Sequence, residues 1–206
     1  PENYKFTDKM HDENPTVLNR LSKGHKYDLK SNIFDKLPDI FLKEAPDDGR
    51  QYVKIYGLSK KQRVYRYIKA DYISNKTNFM GWKVFVPKAN GSGALGETLS
   101  TPLIGKPLIG NTQTFISIGN FKTELEAESA MKYIKSKFAR ALLGILKITQ
   151  DNTGSRWKLV PLQDFTSNSD IDWTKSIPEI DQQLYKKYNL SEDEINFIET
   201  KVQAMD

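Results

Sequence analysis

Two runs of alternating side chains, residues 51–56 and 63–68, constrain this chain more than any other feature. In the first, Tyr52, Lys54 and Tyr56 fall on one side and Val53 and Ile55 on the other; in the second, Arg63, Tyr65 and Tyr67 oppose Val64, Arg66 and Ile68. A period of two marks a half-buried strand, and two such runs joined at Gly57-Leu58-Ser59-Lys60-Lys61 predict a β-hairpin with a lysine-rich tip. Around it, residues 50–93 hold ten Lys or Arg against one acid, Asp71, with eight aromatic side chains interleaved. Cations neutralise phosphates, and aromatics either pack under a sheet or stack on exposed bases. The stretch ends in Lys88-Ala89-Asn90-Gly91-Ser92-Gly93, a polar loop whose glycines let backbone N–H groups approach an anion. A solvated basic sheet face and a nucleic-acid surface are both open readings of this charge.

The overall charge of +5 conceals an asymmetry. Residues 161–206 carry four basic and ten acidic side chains, so the rest of the chain carries +11. A basic body with an acidic tail points to a polyanionic partner for the body. The 206 residues suffice for one domain or a domain with appendages. The absence of cysteine rules out disulfides and thiolate metal sites and fits a reducing cytoplasm. Two histidines, His11 and His25, make a histidine-based zinc site a poor expectation. No apolar run approaches the ~18 residues a membrane span needs, and the start Pro1-Glu2-Asn3-Tyr4 reads as a piece of a longer chain without a signal peptide.

Along the chain, the first ten residues show no periodicity and are expected to be extended. Asn14-Pro15 begins a helix ending near Gly24, and residues 32–41 form a short helix interrupted by Pro38. Residues 82–86 (WKVFV) and 114–118 (TFISI) are strands; residues 89–113, rich in Gly, Ser, Thr and Pro, are a long connection containing the echo Pro-Leu-Ile-Gly at 102–105 and 107–110. Thr123, with a capping box to Glu126, opens one long helix to about Ile148, whose Gly144 suggests a close backbone neighbour. Residues 157–161 are a further strand. Residues 178–188 and 191–204 form a helical hairpin, expected as an appendage that adds little core. The expected fold class is α+β: a mixed sheet packed on one long helix, with short N-terminal helices. The expected segments are 1–49 as a lead-in, 50–165 as the core and 166–206 as the acidic appendage.

Catalytic patterns are missing. Pro38-Asp39 and Pro46-Asp47 lack a suitably spaced (D/E)xK partner for a metal-dependent nuclease, there is no Walker-type loop, and Gly91-Ser92-Gly93 is no nucleophile elbow.

A resemblance then enters. Thr114-Phe115-Ile116-Ser117-Ile118-Gly119, the helix end Lys137-Phe138-Ala139-Arg140-Ala141-Leu142-Leu143, Lys147-Ile148-Thr149-Gln150-Asp151, the segment from Trp157 to Phe165 and that from Ile180 to Glu199, with Asn14 to Leu18 and Lys88 to Gly93 besides, resemble the C-terminal region of bacterial restriction-modification adenine-specific DNA methyltransferases. In that family this region is the target recognition domain, which reads the DNA sequence, while an N-terminal domain binds S-adenosylmethionine and carries out methyl transfer. The family's Asn/Asp-Pro-Pro-Tyr/Phe signature and its cofactor loop are absent here. The resemblance therefore implies a non-catalytic recognition fragment without a cofactor of its own, with double-stranded DNA and the parent's catalytic domain as partners. Lys60, Lys61 and Lys83 are the expected phosphate contacts; Arg63, Arg66, Lys88, Asn90 and Ser92 are the expected base readers, since Arg and Lys suit guanine and Asn suits adenine. The working surface would be the hairpin tip together with the loop from Lys88 to Ser92. The alternative is a protein–protein module whose basic face docks an acidic partner domain.

Overall fold

The alternating run folds as written. In a computed structural model, which describes residues 4–74, 78–89, 94–145 and 154–205, β2 (Tyr52–Ser59) and β3 (Gln62–Lys69) pair antiparallel from Tyr52↔Lys69 to Ser59↔Gln62. They are preceded by β1 (Lys5–Phe6), α1 (Asp8–Glu13) and α2 (Ile33–Lys36). The N-terminal stretch expected to be extended thus ends in the first residues of a helix, Asp8 to Met10. The helix expected from Asn14-Pro15 is a 3-10 helix over Pro15–Arg20, and α2 stops just before Pro38, whose ring cannot sit in a helix interior. Further on come β4 (Ile73–Ser74), β5 (Trp82–Pro87), β6 (Leu103–Gly105), β7 (Ile109–Asn111) and β8 (Phe115–Phe121).

Each copy of the Pro-Leu-Ile-Gly echo supplies a short strand, so the connection expected over 89–113 is partly structured. β7 joins the hairpin in parallel, with Lys54↔Ile109 and Tyr56↔Asn111, giving a mixed sheet in the order β3-β2-β7. A second three-stranded sheet runs β6-β5-β8, and β1 pairs with β4. The protein is α+β, with its strands in three small sheets.

By packing, the chain forms two units: Pro1–Phe85 with Gly105–Asn120, and Val86–Ile104 with Phe121–Asp206. These cut across the expected segments. In the first unit, Val53, Ile55 and Ile68 on the inner face of the hairpin join Tyr4, Met10, Ile33, Leu37 and Phe41 in one buried cluster. Gly57 lies where a Cβ would come within 2.6 Å of Thr112 Cγ2 and 2.7 Å of Phe34 Cε2, so the inner face closes over it.

In the second unit the long helix is two helices, α3 (Glu124–Lys135) and α4 (Lys137–Ile145), separated at Ser136 (φ −58°, ψ 149°). Thr123 caps α3 as expected, its hydroxyl accepting from the Glu126 amide. The start of α4 is capped from far along the chain. The buried Asp181 carboxylate accepts the Lys137 and Phe138 amides at 3.0 and 2.9 Å, and Ser136 Oγ accepts from Ala139. Burial raises the Asp181 pKa even though those two amides oppose the shift. The expected strand at 157–161 is instead a 3-10 helix over Gly154–Leu159.

The helical hairpin, α5 (Ile177–Lys187) and α6 (Glu192–Lys201), has capping boxes at Ser176/Glu179 and Ser191/Glu194. It is no appendage. Ile180, Leu184, Tyr185 and Ile198 pack with Tyr133, Phe138 and Trp173 as the core of the second unit. Most of its apolar residues face these partners, although Phe197 is exposed, and that is enough when the partner helices supply the rest. No helix among the described residues is long and apolar enough to cross a membrane.

Candidate nucleic-acid interface

The register divides the hairpin into two faces. Val53/Ile68, Ile55/Arg66 and Gly57/Val64 face inward, whereas Lys54/Tyr67, Tyr56/Tyr65 and Leu58/Arg63 face outward. On the outer face the aromatics are layered: Tyr56 stacks on Phe115 (centroids 4.5 Å apart) and on Phe85 (5.8 Å), and Tyr65 lies 5.0 Å from Tyr56. Cations sit over this layer. Lys54 Nζ is 5.3 Å from the Tyr67 centroid and the Arg63 guanidinium is 5.5 Å from that of Phe115.

The tip is a two-residue turn. Lys60 (φ 48°) and Lys61 (φ 66°) are both left-handed and both exposed, the mark of a type I′ hairpin turn. Asn-Gly is the usual occupant, because a Cβ in this region costs about 1–2 kcal/mol per residue. Asp35 braces the turn: its carboxylate accepts from Ser59 Oγ at 2.7 Å and from the Lys60 amide at 3.2 Å. The Ser59 bond first, then the Lys60 amide, hold the Asp35 pKa below the usual carboxylate value, with the charges of Lys60 and Arg66 assisting. Asp35 thus grips the backbone of the tip, and the two ammonium groups project beyond it.

The opposite end of the hairpin is also cationic but internally neutralised. Lys9, Arg50 and Lys69 line a cleft of about 440 Å³ with Glu13 and Asp71. There Lys9 pairs with Asp71 at 2.5 Å and Lys69 with Glu13 at 2.9 Å. Glu13 also accepts from the Tyr72 hydroxyl at 2.6 Å; that bond and the one from Lys69 pull its pKa to about 2. Arg50 in turn lies 3.8 Å from Asp48.

Of the residues singled out in the sequence, Lys60, Lys61 and Arg63 come together at the tip and on the outer face beside it. Arg66 lies opposite Ile55 on the inward face, half-buried, and donates to the Tyr65 carbonyl at 3.0 Å. It does not share a face with Arg63. Lys83 is a clear correction. Its side chain is fully buried, its ammonium donating to the Asn78 and Phe79 carbonyls at 2.8 and 3.1 Å, and burial lowers its pKa to about 8. A lysine committed to interior carbonyls cannot reach a phosphate. Lys88 is half-buried and belongs to the second unit; Asn90 and Ser92 lie outside the described residues.

Asp35 and Phe115 are the members that sequence reasoning missed. Neither carries a local signal, since Asp35 lies 25 residues before Lys60 and Phe115 belongs to another strand. Among the described residues no group of three or more His, Asp or Glu could hold a metal ion. Compared with known proteins, the chain matches no family model, no curated protein and no solved structure.

Proposed function

We propose that this chain is a DNA-recognition module whose β2–β3 hairpin makes the principal contact. The observation that carries this reading is the tip itself. Two adjacent lysines occupy backbone positions that suit Asn and Gly, are braced there by Asp35, and point their charges outward. Strain of this kind persists where the surroundings over-determine it, and it gathers at working sites. Lys60 and Lys61 supply phosphate contacts, which position a duplex without reading it. Arg63, on the outer face two residues from the tip, is the base reader that fits a two-stranded ribbon entering the major groove.

On the resemblance described above, the module is the target recognition domain of a restriction-modification adenine-specific methyltransferase. The transfer chemistry and S-adenosylmethionine then belong to a separate catalytic domain, the module's protein partner. Immobilised protein and a pool of random duplexes test the reading. Enrichment of a defined motif, relaxed at one position by Arg63→Ala, is the expected result; a retained pool with no enriched motif contradicts recognition. A pool that is not retained contradicts DNA binding altogether.

A further inference from the structure

Four tyrosines lie on the outer face of the hairpin, and Tyr65 alone among them is exposed, at 37%. Tyr56 covers one side of its ring, at 5.0 Å and 35° between planes, and Tyr56 is itself fixed by stacking on Phe115. Tyr65 is therefore a partly exposed ring on a rigid base, so little rotamer freedom is lost when something lands on it. Its position on the ribbon is specific. Arg63 is two residues away on the same face, Lys54 is the diagonal neighbour across the β2–β3 ladder, and the tip lysines lie beyond Arg63. A flat ring on the same ribbon face as Lys54 and Arg63 fits one ligand chemistry closely: a planar base with phosphates beside it.

We propose that Tyr65 is a stacking platform for an unpaired base, so that the hairpin takes single-stranded DNA as well as closed duplex. This rests on the DNA-binding reading above and adds to it, because a paired base inside a duplex offers no face to Tyr65. Lys54 holds a phosphate beside the stacked base, while Lys60 and Lys61 follow the strand outward. The Tyr65 hydroxyl has no part in this, and partial burial, followed by the neighbouring Tyr56, raises its pKa, so the ring stays neutral at physiological pH.

The test uses the full chain with a labelled single-stranded oligothymidine and a duplex of equal length, read by fluorescence anisotropy. Tyr65→Ala is expected to weaken single-strand binding roughly 5- to 150-fold, the range for losing one stacked base, and to leave duplex binding within about twofold of wild type, since phosphate contacts set it. Tyr65→Phe keeps the ring and is expected to restore single-strand binding. A strand carrying 2-aminopurine is expected to lose emission on binding wild type and Tyr65→Phe but not Tyr65→Ala. Unchanged single-strand binding by Tyr65→Ala, beside retained duplex binding, overturns the platform and leaves the DNA reading standing. Equal losses in Tyr65→Ala and Tyr65→Phe also overturn it. Failure of wild type to bind either oligonucleotide overturns both.

Discussion

Asp35 holds Lys60 first by its backbone: the carboxylate accepts the Lys60 amide at 3.2 Å while the lysine side chain stays exposed. The turn is fixed from outside the hairpin, and its two residues are released from any structural duty of their own.

If Lys60 and Lys61 are present for their charges, replacing them should separate stability from binding. The double variant Lys60→Asn, Lys61→Gly places the preferred type I′ pair in the turn, removing the Cβ at 61, worth about 1–2 kcal/mol, and putting the better-tolerated Asn at 60. Urea denaturation is expected to show a more stable protein, and anisotropy a weaker DNA complex. A double variant that is both less stable and unimpaired in binding would reverse the assignment.

Lys83 gives a pH signature in the alkaline range. Its pKa is 10.5 in an unfolded chain and about 8 in the folded one, the cause being burial. Between those values the unfolded chain holds a proton that the native protein lacks, so the lysine's contribution makes stability rise with pH. Below pH 8 the cost of charging it in the interior is fully present. Denaturation from pH 8 to 10.5 should therefore show a rise in wild type that Lys83→Met lacks. The same variant should bind DNA as wild type does; a loss comparable with that of a tip lysine would restore Lys83 to the interface.

Arg140 organises the second unit. Its buried guanidinium donates to the carbonyls of Lys135 at 3.0 Å, Glu97 at 3.3 Å and Gln203, and burial brings its pKa down to about 10. The three acceptors come from separate segments, which an ammonium cannot span as a planar fork does. Arg140→Lys is expected to destabilise the protein by at least about 2 kcal/mol, the scale of one charge-assisted bond lost in the interior. Gly96→Ala probes the same junction: Gly96 has φ 80°, and its Cβ would overlap the Lys201 carbonyl. Both variants should lower the melting temperature; wild-type stability in Arg140→Lys would mean that its three bonds are dispensable.

The hairpin was legible because one side of it is buried. The alternation of Val53, Ile55 and Ile68 with outward residues marked its two strands and a lysine-rich tip from local pattern, but the turn expected over residues 57–61 shrinks to Lys60-Lys61, because Gly57, Leu58 and Ser59 go on pairing in β2. What escaped reading depended on distant residues. The apolar face from Leu125 to Leu142 runs on through Ser136, and the break rests on the Ser136 cap together with Asp181, 45 residues further along. Residues 157–161 look strand-like because Trp157, Leu159 and Val160 are apolar, yet that short run folds as a 3-10 turn. Lys83 alternates in sequence like a surface charge, and its acceptors are backbone carbonyls that no side-chain pattern announces. Arg63 and Arg66 illustrate the same limit on a smaller scale. Both are cations in one strand, and the odd spacing between them puts them on opposite faces of the hairpin.

The most direct measurement of the central claim is the salt dependence of duplex binding by wild type and by the Lys60→Ala, Lys61→Ala double variant. Each phosphate neutralised releases counterions, so log K should fall linearly with log salt, with a slope shallower by about 2 in the double variant. Binding that ignores salt, or a slope that the two substitutions leave unchanged, would contradict a hairpin tip that grips the DNA backbone.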